Sequence, residues 1–297
     1  MRRKFEPLPQ PLVLYDISSP HTPSSYAPNP SKSRFALLFK RLSFRIEWTD
    51  ILEIPRVRKS VGLRAGRKLD DGSDFYTLPI LRNPNTGVVI GDSFDIALYL
   101  DKYWSGRDPL FPEDSTLNGL DYQTPYKHTA FYAPLTDLAD REQAAYARFN
   151  TEVDTTFSCN LRLFAYNLPT NPETDAEVKA LFAKRAHLPS WEVLKITDPE
   201  ARKKGMQEFE EGVRTLAECY LRNGGKGPFL EGETATYADL IVGGWLNMFS
   251  KIMPTAEWEE FKGFHGGVFG KLFGVLIDGQ WTKQGPAPGT SEPWVPT

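Results

Sequence analysis

Residues 76–100 constrain this chain more than any other stretch. They read Tyr-Thr-Leu-Pro-Ile-Leu, then a turn through Asn83-Pro84-Asn85-Thr86-Gly87, a second apolar run Val88-Val89-Ile90, and Gly-Asp-Ser ahead of Phe94 to Leu100. Two short extended runs joined by an Asn/Pro/Gly turn make a hairpin. Asp92 and Ser93 are residues that open helices by capping exposed amides. Pro79 has no N–H, so it belongs at a strand start, an edge or a cis turn, and it leaves the N–H and C=O of Leu78 for another partner. The helix that starts at Ser93 presents N–H groups suited to a carboxylate. A peptide bearing a free carboxylate fits both features.

Ahead of this unit, Leu12-Val13-Leu14-Tyr15 is a short strand, and residues 32–42 place Phe35, Leu38, Phe39 and Leu42 at helical spacing. Residues 45–50 alternate as a second strand, and a helix between two strands implies a parallel pair with a right-handed crossover. An irregular helix follows. Strands at 76–81 and 88–90 complete a four-stranded sheet, and a helix at 93–104 packs through Ile96, Tyr99, Leu100 and Tyr103. The order βαβαββα is the thioredoxin-like arrangement.

Asp108-Pro109-Leu110-Phe111-Pro112 reads as a proline-punctuated linker, and no strand pattern follows it. Helices are expected near 125–139, 141–167, 173–186, 198–223, 236–250, 255–261 and 267–277, joined by short loops as in a bundle. Thr236-Tyr237-Ala238-Asp239 is a capping box: the Thr236 hydroxyl covers the N3 amide and Asp239 reaches back to the cap amide. The expected architecture is α/β plus all-α. A thioredoxin-like domain spans 1–106, an all-helical domain spans 107–279, and a Pro/Gly-rich tail with Trp281 and Trp294 fills 280–297. For the tail, disorder is the first expectation and folding back over an apolar groove the second.

With 35 basic and 38 acidic residues the formal charge is −3, so no global field favours nucleic acid or an anionic membrane. Cys159 and Cys219, the only cysteines, suit a reducing compartment and have no metal-ligand spacing, while a disulfide between them stays open. Pro7, Pro9 and Pro11 interrupt the place of a signal peptide's apolar stretch, and the apolar run Leu240 to Phe249 is too short to span a bilayer. A soluble, cytoplasmic protein is expected.

The strand–proline turn followed at one hairpin's distance by Asp92-Ser93-Phe94-Asp95-Ile96 closely resembles the N-terminal domain of glutathione transferases. The likeness runs from Leu12 to about Lys271, and its details resemble the fungal etherase-like class, related to bacterial lignin β-etherases. The resemblance implies that Pro79 is cis, that the Leu78 backbone pairs with the cysteinyl part of glutathione, and that Asp92 and Ser93 hold its γ-glutamyl group. It also implies a homodimer, no metal, and a basic segment meeting the glycyl end. Arg56, Arg58, Lys59, Arg64, Arg67 and Lys68 supply such a segment, though a charge run is more often a solvated face.

In the etherase-like class the loop after the first strand resembles Ser-Pro-Asn-x-x-Lys-x-Arg-Tyr, its first serine being the proposed thiol activator. Here Ala27 takes that place, while Pro28, Asn29, Lys32 and Arg34 keep to the pattern. A thiol with pKa near ~8.5 needs stabilisation of its anion. Asn29 is the favoured donor, with Ser24, Ser25 and Ser31 as alternatives; Ser, Asn and Pro also crowd helix starts for structural reasons alone. Tyr26, Tyr126, Phe131, Tyr132, Phe157 and Phe164 are candidates for an aromatic substrate pocket, although aromatic stripes at helical spacing are usually core. Two functions follow: a transferase that directs the glutathione thiolate at aromatic electrophiles, or a carrier of aromatic compounds with little turnover, which Ala27 favours. A purely structural role ranks third.

Overall fold

The computed structural model describes residues 9–22, 24–69, 71–112, 119–127 and 143–277. Phe131, Tyr132 and the Trp-bearing tail lie outside the described residues.

The apolar run at the start becomes β1 (Leu12–Ile17), followed by α1 (Pro28–Phe39) and β2 (Phe44–Thr49). β1 and β2 pair in parallel from Leu12↔Phe44 to Ile17↔Thr49, as a helical crossover requires. A 3-10 turn at Ile51–Glu53 leads into α2 (Ile54–Ser60), the irregular helix of the sequence reading. A two-stranded hairpin, β3 (Arg67–Lys68) with β4 (Asp74–Phe75), comes next and was not expected from the sequence. Two ladder residues per strand are too few to show a periodic pattern.

The sheet closes with β5 (Ile80–Arg82) and β6 (Val89–Ile90), in spatial order β2-β1-β5-β6. The strand expected at 76–81 is therefore observed only as Ile80–Arg82, overlapping the expected range at its last two residues. Leu78–Pro79 is a cis peptide, and residues 76–79 run beside the sheet without joining its ladder. α3 (Ser93–Tyr103) follows, capped by Asp92, whose Oδ1 accepts from the amides of Phe94 and Asp95.

Leu110 and Phe111 are buried, so the segment read as a linker is a plug. Phe111 packs its ring on Phe94, Tyr146 and Tyr237, and the Leu110 carbonyl accepts from the Tyr237 amide. Beyond it, every described element with a repeating ladder is helical: α4 (Ala144–Leu161), α5 (Asp175–Arg185), α6 (Pro199–Leu221), α7 (Tyr237–Ile252) and α8 (Thr255–Leu276). α8 covers two expected helices, and its non-helical residues Phe264 to Gly267 mark the break between them. Residues 125–127, the described part of the expected helix 125–139, are not helical. The fold is a thioredoxin-like domain with a mixed sheet followed by a helical domain.

One apolar core runs through both halves, from Leu14, Phe35 and Leu100 to Phe149, Leu216 and Leu276. The seam is α1 against α7. A Cβ on Gly244 would lie 2.6 Å from the Pro28 carbonyl oxygen, so a side chain there would push the helices apart. Beside the seam, the buried Lys32 of α1 donates to Asn150 Oδ1 at 2.9 Å and pairs with Asp154 Oδ1 at 2.5 Å, both on α4. Both cysteines are free, which closes the disulfide left open above. Among the described residues no helix is long and apolar enough to cross a membrane.

Candidate active site

Between the two halves lies a cavity of about 310 Å³. The N-terminal half contributes Ala27 to Pro30 at the start of α1, Ile51 and Ile54, Arg67 and Phe75 of the small hairpin, Tyr76 to Leu78, and Asp92 with Ser93. The facing wall comes from α4 (Asn150, Asp154, Leu161), α5 (Phe182, Arg185) and α7 (Trp245, Met248). Apolar walls with a few converging polar groups are what a small-molecule site requires.

Four residues singled out in the sequence meet here: Asn29, Leu78, Asp92 and Ser93. Pro79 adjoins them, joined to Leu78 by a cis bond, and Leu78 lies outside the β5 ladder. Neither the N–H nor the C=O of Leu78 bonds to another described residue, although Leu78 is buried. Buried backbone groups of this kind need a partner. Asp92 Oδ2 and the Ser93 hydroxyl also make no hydrogen bond to a described residue. The Ser93 carbonyl, by contrast, accepts from the Tyr237 hydroxyl at 2.9 Å, which ties the start of α3 to α7.

The first turn of α1 is unusual in its donors. Ala27 is the N-cap and offers no side-chain oxygen, and Pro28 and Pro30 have no N–H. Ser31 donates both its amide and its hydroxyl to the Ala27 carbonyl, at 3.1 and 2.8 Å. The remaining donors are the backbone amide and side-chain amide of Asn29, and neither bonds to a described residue. The donor work of this helix start therefore falls on Asn29.

Ser25 does not line the cavity. It is buried, its hydroxyl shares a hydrogen bond with Ser31 Oγ at 3.1 Å, and its carbonyl accepts from Asn247 Nδ2 at 2.8 Å. Asp16 is fully buried and accepts from the Ile17 amide, and burial pushes its carboxyl up to about 6. Tyr26 is likewise buried away from the cavity, and burial holds its hydroxyl pKa high. Phe157 and Phe164 are core residues. Phe157 stacks behind Trp245 at 5.6 Å, and Phe164 packs on Phe209 and Phe249. Tyr126 borders a separate depression with Tyr122 and Arg148.

The basic segment divides by position. Arg58 is buried and donates to the carbonyls of Arg64, Thr77 and Gly91 at 2.9, 2.8 and 2.7 Å, which fixes the approach to the cis bond and the entry to α3. Gly91 allows this, since a Cβ there would sit 2.6 Å from the Arg58 guanidinium. Arg67 is the member of the segment that lines the cavity. The facing wall was missed because its residues carry no local signal. Asp154 accepts from Lys32 Nζ and from Trp245 Nε1 at 2.6 Å, so it holds the indole in place. Asp50 accepts from Asn171 and Thr174 at 3.2 and 3.1 Å, which anchors the start of α5 beside the cavity. Among the described residues no cluster of His, Cys, Asp or Glu has the make-up of a metal site.

The glutathione S-transferase N-terminal domain model matches residues 26–102, and the C-terminal domain model of the same family matches residues 169–277. The chain belongs to the glutathione S-transferase family. It is 25% identical over 292 residues to the glutathione S-transferase-like protein ustS of Aspergillus flavus, covering 92% of this chain and 91% of that one. A glutathione S-transferase of Ceriporiopsis subvermispora, crystallised in complex with glutathione, superposes with a TM-score of 0.74 at 25% identity, covering 91% of this chain and 100% of that chain. A glutathione transferase of Phanerochaete chrysosporium gives 0.70 at 26% identity, covering 91% and 98%. In family terms, the cavity sits between the transferase N-terminal and C-terminal domains.

Proposed function

We propose that this chain is a glutathione transferase of the fungal etherase-like kind, which binds glutathione across the Leu78–Pro79 turn and directs its thiolate at an aromatic electrophile. The observation that carries the reading is the unbonded Leu78 backbone in a cavity shared with the start of α3 and with Asn29. The Leu78 N–H and C=O pair with the cysteinyl backbone as a strand would. The Ser93 amide and hydroxyl take the γ-glutamyl carboxylate, and Asp92 takes the ammonium.

These anchors bring the sulfur toward α1, where Asn29 donates to the thiolate and favours it over the thiol. The apolar wall of Phe75, Phe182, Leu161 and Trp245 receives the electrophile and excludes water. In displacement at a β-aryl ether the C–S bond forms as the C–O bond breaks. The electron pair leaves on the phenolic oxygen, which takes a proton from solvent. In conjugation of a halogenated aromatic the thiolate adds to the ring carbon first, forming the C–S bond, and the C–halogen bond then breaks with its electron pair leaving on the halide.

The test is calorimetric titration of glutathione together with steady-state rates on aromatic electrophiles. Ser93→Ala is expected to weaken glutathione binding by about tenfold, the loss of one charge-assisted hydrogen bond. Asn29→Ala is expected to raise the pKa of the bound thiol and lower kcat while leaving affinity nearly intact. Wild-type behaviour in both variants would refute the reading. The carrier reading has Ala27 on its side, and binding of aromatic compounds without turnover is its signature. A second copy of the chain is the proposed macromolecular partner, which light scattering reads directly.

A further inference from the structure

Two arginines from different domains approach one aromatic ring. Arg67 lies on β3 and Arg185 ends α5, and the guanidinium carbon of each is 4.6 Å from the centre of the Phe75 ring. Both side chains line the cavity. Arg185 makes no ion pair or hydrogen bond with a described residue, and its Nε is buried without a partner. Burial, and to a lesser degree the neighbouring Arg67 charge, pushes its pKa down. The ring face offsets part of the cost of the half-buried cation, yet it leaves the in-plane N–H donors of the guanidinium unused. Phe182 stands one helical turn before Arg185 and lines the same cavity, so apolar surface and cation lie side by side.

We propose that Arg185, reinforced by Arg67, is a specificity-determining residue that selects an acceptor bearing a carboxylate on an aromatic body, the body resting on the wall of Phe75, Phe182 and Leu161. This rests on the transferase reading, because it names the acceptor class of that cavity. A carboxylate fits because its two oxygens match the fork of a guanidinium, and because the described residues give Arg185 no anion of their own. Glutathione carries a carboxylate too, at its glycyl end, and the test separates the two sources.

Wild type, Arg185→Gln and Arg185→Lys are titrated calorimetrically and assayed with a chloronitrobenzoate and with its methyl ester; glutathione and its glycyl ethyl ester are titrated in parallel. Arg185→Gln is expected to weaken binding of the acid and raise its KM about 10- to 100-fold, the effect of losing a hydrogen bond to a charged group. The methyl ester is expected to stay within about twofold, and glutathione affinity to be unchanged. Arg185→Lys is expected to restore part of the selectivity, and it stands in should the Gln variant fail to fold. Equal effects on acid and ester overturn the proposal, as does a loss seen with glutathione but not with its glycyl ester. Failure of the transferase reading shows separately, as absent glutathione binding in the wild type, and the acid-versus-ester titration still decides whether Arg185 selects an anion.

Discussion

At the level of single residues, the proposed chemistry turns on the start of α1. Ala27 caps the helix without a hydroxyl, and two prolines leave Asn29 as its donor. Ala27→Ser is expected to raise stability by about 1 kcal/mol, since a serine at N-cap accepts from the N2 amide, here that of Asn29. If the transferase reading holds, the same hydroxyl lowers the pKa of the bound thiol. Thermal unfolding reads the first effect and ultraviolet absorbance of the thiolate the second. Unchanged values in both would mean that this position does not face the sulfur. Lys32 and Arg34, which keep to the etherase-like pattern in sequence, have structural surroundings: Lys32 is paired with Asp154, and Arg34 lies near Asp16.

At the level of elements, α7 shows how a cap can carry a pH dependence. Asp239 is fully buried, accepts from the amides of Leu230 and Thr236, and still has its carboxyl pushed from 3.8 up to about 6, because desolvation outweighs those bonds. The folded state then holds this proton more tightly than the unfolded chain. Its stabilising effect is complete below about pH 4 and is lost as pH rises to about 6, a change of about 3 kcal/mol for this group. Asp239→Asn removes that slope, so urea unfolding at several pH values is expected to show wild type losing stability relative to the variant across this window. Parallel curves would show that Asp239 titrates normally. The α1–α7 seam makes a second demand. Gly244→Ala is expected to cost about 1–3 kcal/mol by overpacking against the Pro28 carbonyl, read as a lowered midpoint in the same experiment.

The elements also show what sequence reading can reach. The N-terminal side of the cavity, proposed above as a glutathione cradle, was legible because each part is local: a proline after an apolar run, a turn of Asn, Pro and Gly, and an Asp-Ser cap. Helices α4 to α8 were legible by periodicity. The facing wall of the cavity was not, because the face of α4, α5 or α7 that meets the cavity depends on how the helices pack together. Phe157 and Phe164 turned inward to Phe209 and Phe249, while Trp245, Phe182 and Arg185 reached the cleft. The β3–β4 hairpin escaped notice for a different reason, its ladder being too short to leave a pattern.

In the whole molecule, the two domains are joined by one core and by a charge pair in which Lys32 is buried and Asp154 half-buried at the cavity wall. Asp154→Ala leaves Lys32 without its counter-charge and Trp245 without its acceptor. It is expected to cost about 3–5 kcal/mol in urea unfolding, whereas Lys32→Met together with Asp154→Leu is expected to recover much of that loss. Equal losses in both variants would place the cost in packing instead of charge. The hairpin that carries Arg67 and Phe75 shares no ladder with the four-stranded sheet. Exchanging its few residues is therefore expected to alter which acceptors the cavity takes more than it alters the unfolding midpoint of the chain.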